Sequence, residues 1–429
     1  MNDIKRYKNK KLLILAGAAV HCKVVEAAKD LGVYTIVTDY LKDSPAKKIA
    51  DESLMYDIFD IESIEEYCKK NNVNGVIGYC IDPTQVPAQE LAERLGLKSY
   101  GNKEQTYILT NKRAFKNTCK KYGVDTIKEY SIDEIENDNH VEYPLLVKPD
   151  DSRGSRGISV CNNKKECLEA ITIAKKESST GNVIIEKYMS NNMDITISYL
   201  IKNGKCYLYS IGDRYPGRIE DNLNRQNSCV IQPSKYADMF INKVNQRIIK
   251  MIKGIGIKNG NVFFQGFVDG ETVRLYDPGI RVPGNEYERL FEKATGLNPM
   301  KSVIPYILGD EIDDCDGKYE GSYNLNNHRV AQYMINVGPG EIAKYEGLKK
   351  IKEHPNVIDV VQKHFVGDKI ENTGDIKHRA GEISILCSRD KDELIETIKY
   401  IQNNLYIEDI YGNNMIISAF DINRINENY

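Results

Sequence analysis

Apolar and polar residues follow two different rhythms along this chain. Residues 11–16 (Lys-Leu-Leu-Ile-Leu-Ala) form a short apolar run closed by Gly17, as in a parallel strand buried on both faces. Over 21–31 the apolar residues recur at helical spacing (Val24, Val25, Ala28, Leu31), and Gly32 ends the helix. A second strand is expected at 34–38, a helix at 61–70, a third strand at 75–79 and a helix at 85–95. Strand–helix alternation with short turns predicts a doubly wound α/β unit over residues 10–100.

Beyond that unit the rhythm changes. A helix is expected at 112–122, ended by Gly123, and Pro144-Leu145-Leu146-Val147-Lys148-Pro149 reads as a strand. The loop Asp151-Ser152-Arg153-Gly154-Ser155-Arg156-Gly157 follows, then a strand at 158–160, a helix at 164–176 and strands at 183–188 and 195–200. Asn203-Gly204 and Asp269-Gly270 sit between β-rich runs and signal hairpin turns. This middle region is α+β with antiparallel pairing. The acidic, Gly-containing stretch 308–325 reads as a linker. A third region follows, with strands near 330–336 and 382–386 and a helix at 391–403. There is no internal repeat.

Composition narrows the classes. The 429 residues allow about three domains at roughly 150 residues each. With 28% charged and 41% hydrophobic residues, the chain has material for more than one core. A net charge of −3 argues against a large nonspecific nucleic-acid surface. No apolar run is long enough for a membrane span, and the start leads directly into a strand-like run, so no secretory signal is expected. The ten cysteines form no C-x-x-C. The closest pair, Cys161 and Cys167, has no histidine at zinc-site spacing, so reduced thiols in a cytoplasmic protein are expected.

Candidate chemistry centres on the loop 152–157. Its glycines and serines let backbone N–H groups approach an anion, and Arg153 and Arg156 add charge. Alone, such a loop is more often an ordinary hairpin; it matches neither a phosphate-binding P-loop nor a dinucleotide fingerprint, and Gly17-Ala18-Ala19 is a poor match to the latter. Its context adds weight. Lys148 ends a strand just before it, where a lysine either snorkels to solvent or meets a buried anion. Lys112 opens the preceding helix, Glu186-Lys187-Tyr188-Met189 ends another strand, and Asp194 follows.

These elements, in this order, resemble the ATP-grasp superfamily over nearly the whole chain. The pattern runs from Asn111-Lys112-Arg113 through the strand and flap 144–157 and the hinge 186–189. It ends in the strand pair Phe264-Gln265-Gly266-Phe267-Val268-Asp269-Gly270 and Tyr276-Asp277-Pro278-Gly279-Ile280-Arg281. The resemblance implies an N-terminal doubly wound α/β domain (1–105), a two-part ATP-clasping domain (106–315, with a flap subdomain at about 125–190) and a C-terminal α+β domain (316–429). It also implies roles. Lys112 and Lys148 would neutralise nucleotide phosphates, with the flap residues Ser152, Arg153, Gly154, Ser155 and Gly157 closing over them. Glu186 would accept from the adenine amino group, Lys187 and Met189 would meet the base edge through backbone groups, and Asp194 would bind ribose hydroxyls. Arg281 would stand at the reacting phosphoryl group. Where the family usually has Glu, Glu and Asn for magnesium, this chain has Gln265, Asp277 and Gly279, which leaves Asp277 and Gln265 as metal ligands beside the phosphates.

In the third region, Pro339-Gly340-Glu341-Ile342, Gly347-Leu348-Lys349-Lys350-Ile351, the stretch 357–370 and Arg379-Ala380-Gly381-Glu382-Ile383 are similar to the C-terminal part of L-amino-acid ligases. The expected activity is an ATP- and Mg2+-dependent ligase of the carbon–nitrogen type. It would join a small-molecule carboxylate to an amine through an acyl phosphate, with no nucleic-acid or membrane partner and a homodimer as the default assembly. Two alternatives stay open: a carboxylase using bicarbonate, and a nucleotide-binding protein whose weakened metal set supports no ligation. His21, after the first strand, could touch a substrate, although a lone loop histidine is more often a surface residue.

Overall fold

The computed structural model describes residues 7–137, 140–150, 157–178, 180–189, 192–217, 227–283, 287–371 and 378–426. Strands β1 (Lys11–Leu15), β2 (Tyr34–Thr38), β3 (Glu52–Leu54) and β4 (Gly75–Gly78) form a parallel sheet in the order β3-β2-β1-β4. The helix Cys22–Asp30 joins β1 to β2 and Ile61–Asn71 joins β3 to β4, while Gln85–Leu95 follows β4. Asp60 caps the second through Ser63 N–H, and Gly96 ends the third in the left-handed region, as glycine permits without strain. His21 is neither exposed nor in a cleft. It is fully buried with its ring edge-on to Tyr79, and burial pushes its pKa down to about 4.

A small antiparallel sheet comes next: β5 (Leu145–Pro149), β6 (Ser159–Cys161) and β7 (Val183–Lys187), in the order β6-β5-β7. The helix Lys164–Glu177, capped by Asn163, covers one face of it with Cys167, Ala170, Ile171 and Ala174. Of the flap residues, 152–155 lie outside the described residues. Gly157 has φ +69°, a left-handed conformation that a side chain would strain.

The remaining strands are β8 (Asp194–Lys202), β9 (Lys205–Pro216), β10 (Asn227–Gln232), β11 (Gly260–Asp269), β12 (Thr272–Gly279), β13 (His328–Val337), β14 (Gly340–Glu346), β15 (Val357–Gln362), β16 (Lys369–Ile370), β17 (Arg379–Ser388), β18 (Tyr406–Asp409) and β19 (Ile416–Ile417). A nine-stranded sheet runs β12-β11-β8-β9-β10-β13-β17-β15, with β19 on β13, so strands of the central and C-terminal regions share one sheet. Three more strands form a small sheet, β16-β14-β18. Both expected hairpins occur: β8 pairs β9 up to Lys202↔Lys205, and β11 pairs β12 up to Asp269↔Thr272.

Alternation decides what each face of the large sheet carries. Ile195, Ile197 and Tyr199 of β8 and Val262 and Phe264 of β11 pack into a core with Phe115, Phe240 and Met251. The opposite face carries Asp194, Thr196, Phe263, Gln265 and Arg214. The stretch 308–325 is packed rather than a loose linker. Ile312, Tyr319 and Leu325 are buried, while Asp314 accepts from Lys202 and Tyr207, each at 2.8 Å. Apolar anchors spaced through an acidic stretch, with Asp310, Asp314 and Glu320 paired to Tyr7, Lys202 and Lys205, account for the difference. No helix among the described residues is long and apolar enough to cross a membrane.

Candidate active site

The polar face of the large sheet, the small sheet and the parallel unit converge on one region. Lys148 and Glu186 lie on paired strands, with Leu146↔Glu186 and Lys148↔Ile184 in register, so the two side chains are diagonal neighbours on one face. The Lys148 amine reaches Glu186 Oε2 at 2.5 Å. A third residue joins them: Lys116 pairs with Glu186 Oε1 and with Glu129. Glu186 is only 1% exposed. Burial pushes its carboxyl up, but Lys148 and Lys116 outweigh that and hold it below the usual carboxylate range. Both oxygens therefore face lysine amines, and a base amino group would compete for lone pairs already in use. Lys187 reaches outward to Glu142 at 2.8 Å, and Met189 is buried.

Lys112 opens the helix Lys112–Lys121, whose N-cap Asn111 accepts from Ala114 N–H. Burial and the charge of Lys148 lower its pKa, and Asp277, Glu186 and Asp82 oppose that. The crowding of three lysine amines makes the region ready for an anion.

Asp277 reaches the site through a bulge. Gln265 pairs with Asp277 and Gly266 with Leu275, which leaves Tyr276 as an extra residue in β12. Strict alternation from Leu275 would aim Asp277 into the core; the bulge aims it to the polar face. The Tyr276 hydroxyl hydrogen-bonds to Gln265 Oε1 at 3.1 Å and to both Asp194 oxygens at 3.1 and 3.2 Å. Arg214, directly opposite Asp194, donates to it at 2.9 Å and to Tyr276 Oη at 2.8 Å. Asp194 is thus held by a partner on each side. Burial and Asp82 push the Asp277 pKa up to about 6, against the pull of Lys112, Arg281 and Arg214.

Arg281 is 6% exposed. It donates to Asp82 Oδ1 through Nη2 at 2.7 Å and Nε at 3.1 Å, and its guanidinium stacks 4.5 Å from the Phe263 ring centroid. Gly279 has a steric reason. A Cβ there would lie 2.0 Å from Phe263 Cε1, so the ring fills the space a third metal-binding side chain would need.

Among the described residues no group of three or more His, Cys, Asp or Glu could hold a metal. One carboxylate at Asp277 and one amide oxygen at Gln265 still suit Mg2+, which keeps most of its ligands on phosphates or water. Beside these groups lies a cavity of about 200 Å³ lined by Cys80, Arg214, Phe263, Gln265, Arg281 and Arg379. Lys116, Tyr276 and Asp82 are the members that sequence reasoning missed. Lys116 lies four residues after Lys112, a spacing that could have drawn notice; the bulge and Asp82 left no comparable mark.

The family model for the carbamoyl-phosphate synthase L chain, ATP binding domain, matches residues 111–298. The chain is 25% identical over 314 residues to a formate-dependent phosphoribosylglycinamide formyltransferase of Prochlorococcus marinus (strain NATL2A), covering 69% of this chain and 79% of that one. An L-amino acid ligase from Bacillus licheniformis superposes with a TM-score of 0.76 at 19% identity, covering 94% of this chain and 99% of that one. The biotin carboxylase domain dimer of a Hydrogenobacter thermophilus 2-oxoglutarate carboxylase, solved with MgADP, ADP and bicarbonate, superposes with a TM-score of 0.73 at 19% identity. It covers 93% of this chain and 90% of that one. At such identities the structural likenesses speak to the fold.

Proposed function

We propose that this chain, an ATP-grasp protein of the carboxylate–amine ligase type, activates a small carboxylate with ATP and joins it to an amine, releasing ADP and phosphate. A carboxylate is a poor electrophile. Transfer of the terminal phosphoryl group gives an acyl phosphate that a neutral amine can attack. The observation that supports this reading is that Lys112 interacts electrostatically with Lys148, Glu186 and Asp277, and Asp277 with Arg281, which lines the cavity together with Gln265.

In this reading Lys112 and Lys148 neutralise phosphate oxygens as point charges and the flap 152–157 excludes water from the anhydride. Lys187 and Met189 meet the base through backbone groups, and a remaining lone pair of Asp194 accepts from a ribose hydroxyl. Arg281 bridges the substrate carboxylate and the moving phosphoryl group, with Phe263 supporting its plane. Asp277 and Gln265 would hold Mg2+, whose charge, when bound, spreads over the nucleotide phosphates. Domain limits near 105 and 315, a homodimeric assembly and a cytoplasmic location, in keeping with ten free cysteines, complete the proposal.

The test is ADP release from MgATP over a panel of carboxylates and amines, amino acids first, with hydroxylamine present to intercept the acyl phosphate as a hydroxamate. ADP formation dependent on a carboxylate supports the reading, and AMP as the nucleotide product would overturn it. Release stimulated by bicarbonate alone would instead favour a carboxylase, a second reading prompted by the likeness to the carboxylase domain.

A further inference from the structure

Lys116 belongs to no motif, yet it meets the most deeply buried carboxylate of the nucleotide region. It lies one turn after Lys112 on the same helix, and residues four apart share a face. Its amine takes one oxygen of Glu186 while Lys148 takes the other. The Lys116 side chain is 10% exposed, and its other partner, Glu129, is 47% exposed. A buried carboxylate left with no partner is strongly disfavoured, and one ionic partner offsets its burial only with good geometry and further hydrogen bonds to its remaining lone pairs. With an ammonium group on each oxygen, Glu186 keeps one ionic partner when the other leaves.

The second partner has a use if one lysine must leave. Under the nucleotide-site reading above, on which this inference rests, Lys148 turns toward a phosphate oxygen when nucleotide binds. We infer that Lys116 is a positioning residue for that step: it keeps Glu186 paired, so Lys148 can exchange a carboxylate partner for a phosphate. Without Lys116, that exchange would leave Glu186 buried and unpaired. Lys148 would then stay on Glu186, and only a fraction of molecules would present it to nucleotide. Apparent affinity falls in proportion to that fraction. Glu129, itself a carboxylate paired with Lys116, cannot replace this function.

The test uses the full chain. MgADP affinity is measured by calorimetry, and KM for ATP and kcat with a working carboxylate. Lys116→Met is expected to weaken MgADP binding and raise KM for ATP by about tenfold, with kcat at saturating ATP changed less than about threefold, as for a shifted pre-equilibrium. Lys116→Arg, which keeps the charge, should bind nearly as the wild type does. The decisive variant is Lys116→Met with Glu186→Gln. Removing the carboxylate removes the trap, so the double variant should bind MgADP more tightly than Lys116→Met alone. A lysine that acts on nucleotide independently of Glu186 would give losses that add. Wild-type affinity in Lys116→Met, or additive losses in the double variant, overturns the inference while leaving the nucleotide site standing. A wild-type chain that binds no MgADP in the same experiment overturns the site reading, and this inference with it.

Discussion

Replacing Arg281 by alanine separates binding from chemistry in this site. In the resting structure the guanidinium spends its donors on Asp82, at 2.7 and 3.1 Å, and on the Val282 carbonyl at 3.2 Å. Asp82 is 64% exposed, so water can replace that pairing, and stability should drop by only ~1 kcal/mol. During phosphoryl transfer the same planar fork would meet a carboxylate oxygen and a phosphoryl oxygen in a pocket closed to water. Two charge-assisted hydrogen bonds at ~1.5–3 kcal/mol each amount to ~3–6 kcal/mol. If they form only in the transition state, kcat falls roughly 10²–10⁴-fold. On the proposed reading the lysines hold the nucleotide, so affinity for MgADP should change less than about threefold. Coupled ADP-release kinetics give kcat and calorimetry gives affinity. Nucleotide affinity falling in step with kcat would refute the reasoning, as would a kcat within about tenfold of the wild type.

Three further outcomes follow from the same geometry. Lys148→Ala should lower nucleotide affinity by ~1.5–3 kcal/mol, the scale of a charged hydrogen bond, as read by calorimetry. Because burial and Asp82 push the Asp277 pKa up to about 6, the proton-bound form gains as pH falls through that value. Mg2+ must then displace a proton, so the Mg2+ concentration for half-maximal activity should rise below about pH 6 and flatten above pH 7. Asp277→Asn should abolish that limb and raise the Mg2+ requirement more than Gln265→Ala does; the reverse order would mean that the two strands are misassigned. Gly279→Ala forces the Phe263 ring away from Arg281, since its new Cβ would lie 2.0 Å from the ring. Activity should fall about tenfold with nucleotide binding kept, and Phe263→Leu in the same chain should recover part of the loss.

What could be read in advance depended on how local the signal was. β1, β2, β8 and the helix Lys391–Asn404 declare themselves because each spells its own period within a few residues. Lys148 was legible for a related reason, as a charge on an otherwise apolar strand, whereas Glu186 drew notice through the hinge pattern 186–189. The Tyr276 bulge was not, because one extra residue in a strand leaves no mark unless the register of its neighbour is known. Lys116 looks like any helix-surface lysine until β7 brings Glu186 against it. Asp82 meets Arg281 across 199 positions, a contact that only the packing of the parallel unit on the large sheet creates. The segment 308–325 was misjudged because its charge outweighed three well-spaced apolar anchors, and His21 because nothing local told a buried loop from an exposed one.

The central claim is that a substrate carboxylate oxygen becomes an oxygen of inorganic phosphate. A mixture of amino acids labelled with ¹⁸O in their carboxylates, incubated with MgATP and the full chain, tests this directly by mass analysis of the phosphate and nucleotide products. Attack of a carboxylate oxygen on the terminal phosphorus, followed by displacement by an amine, leaves that oxygen on phosphate. The account predicts one ¹⁸O in each phosphate released, with unlabelled ADP beside it. Label in AMP, or phosphate released without label while product forms, would contradict it.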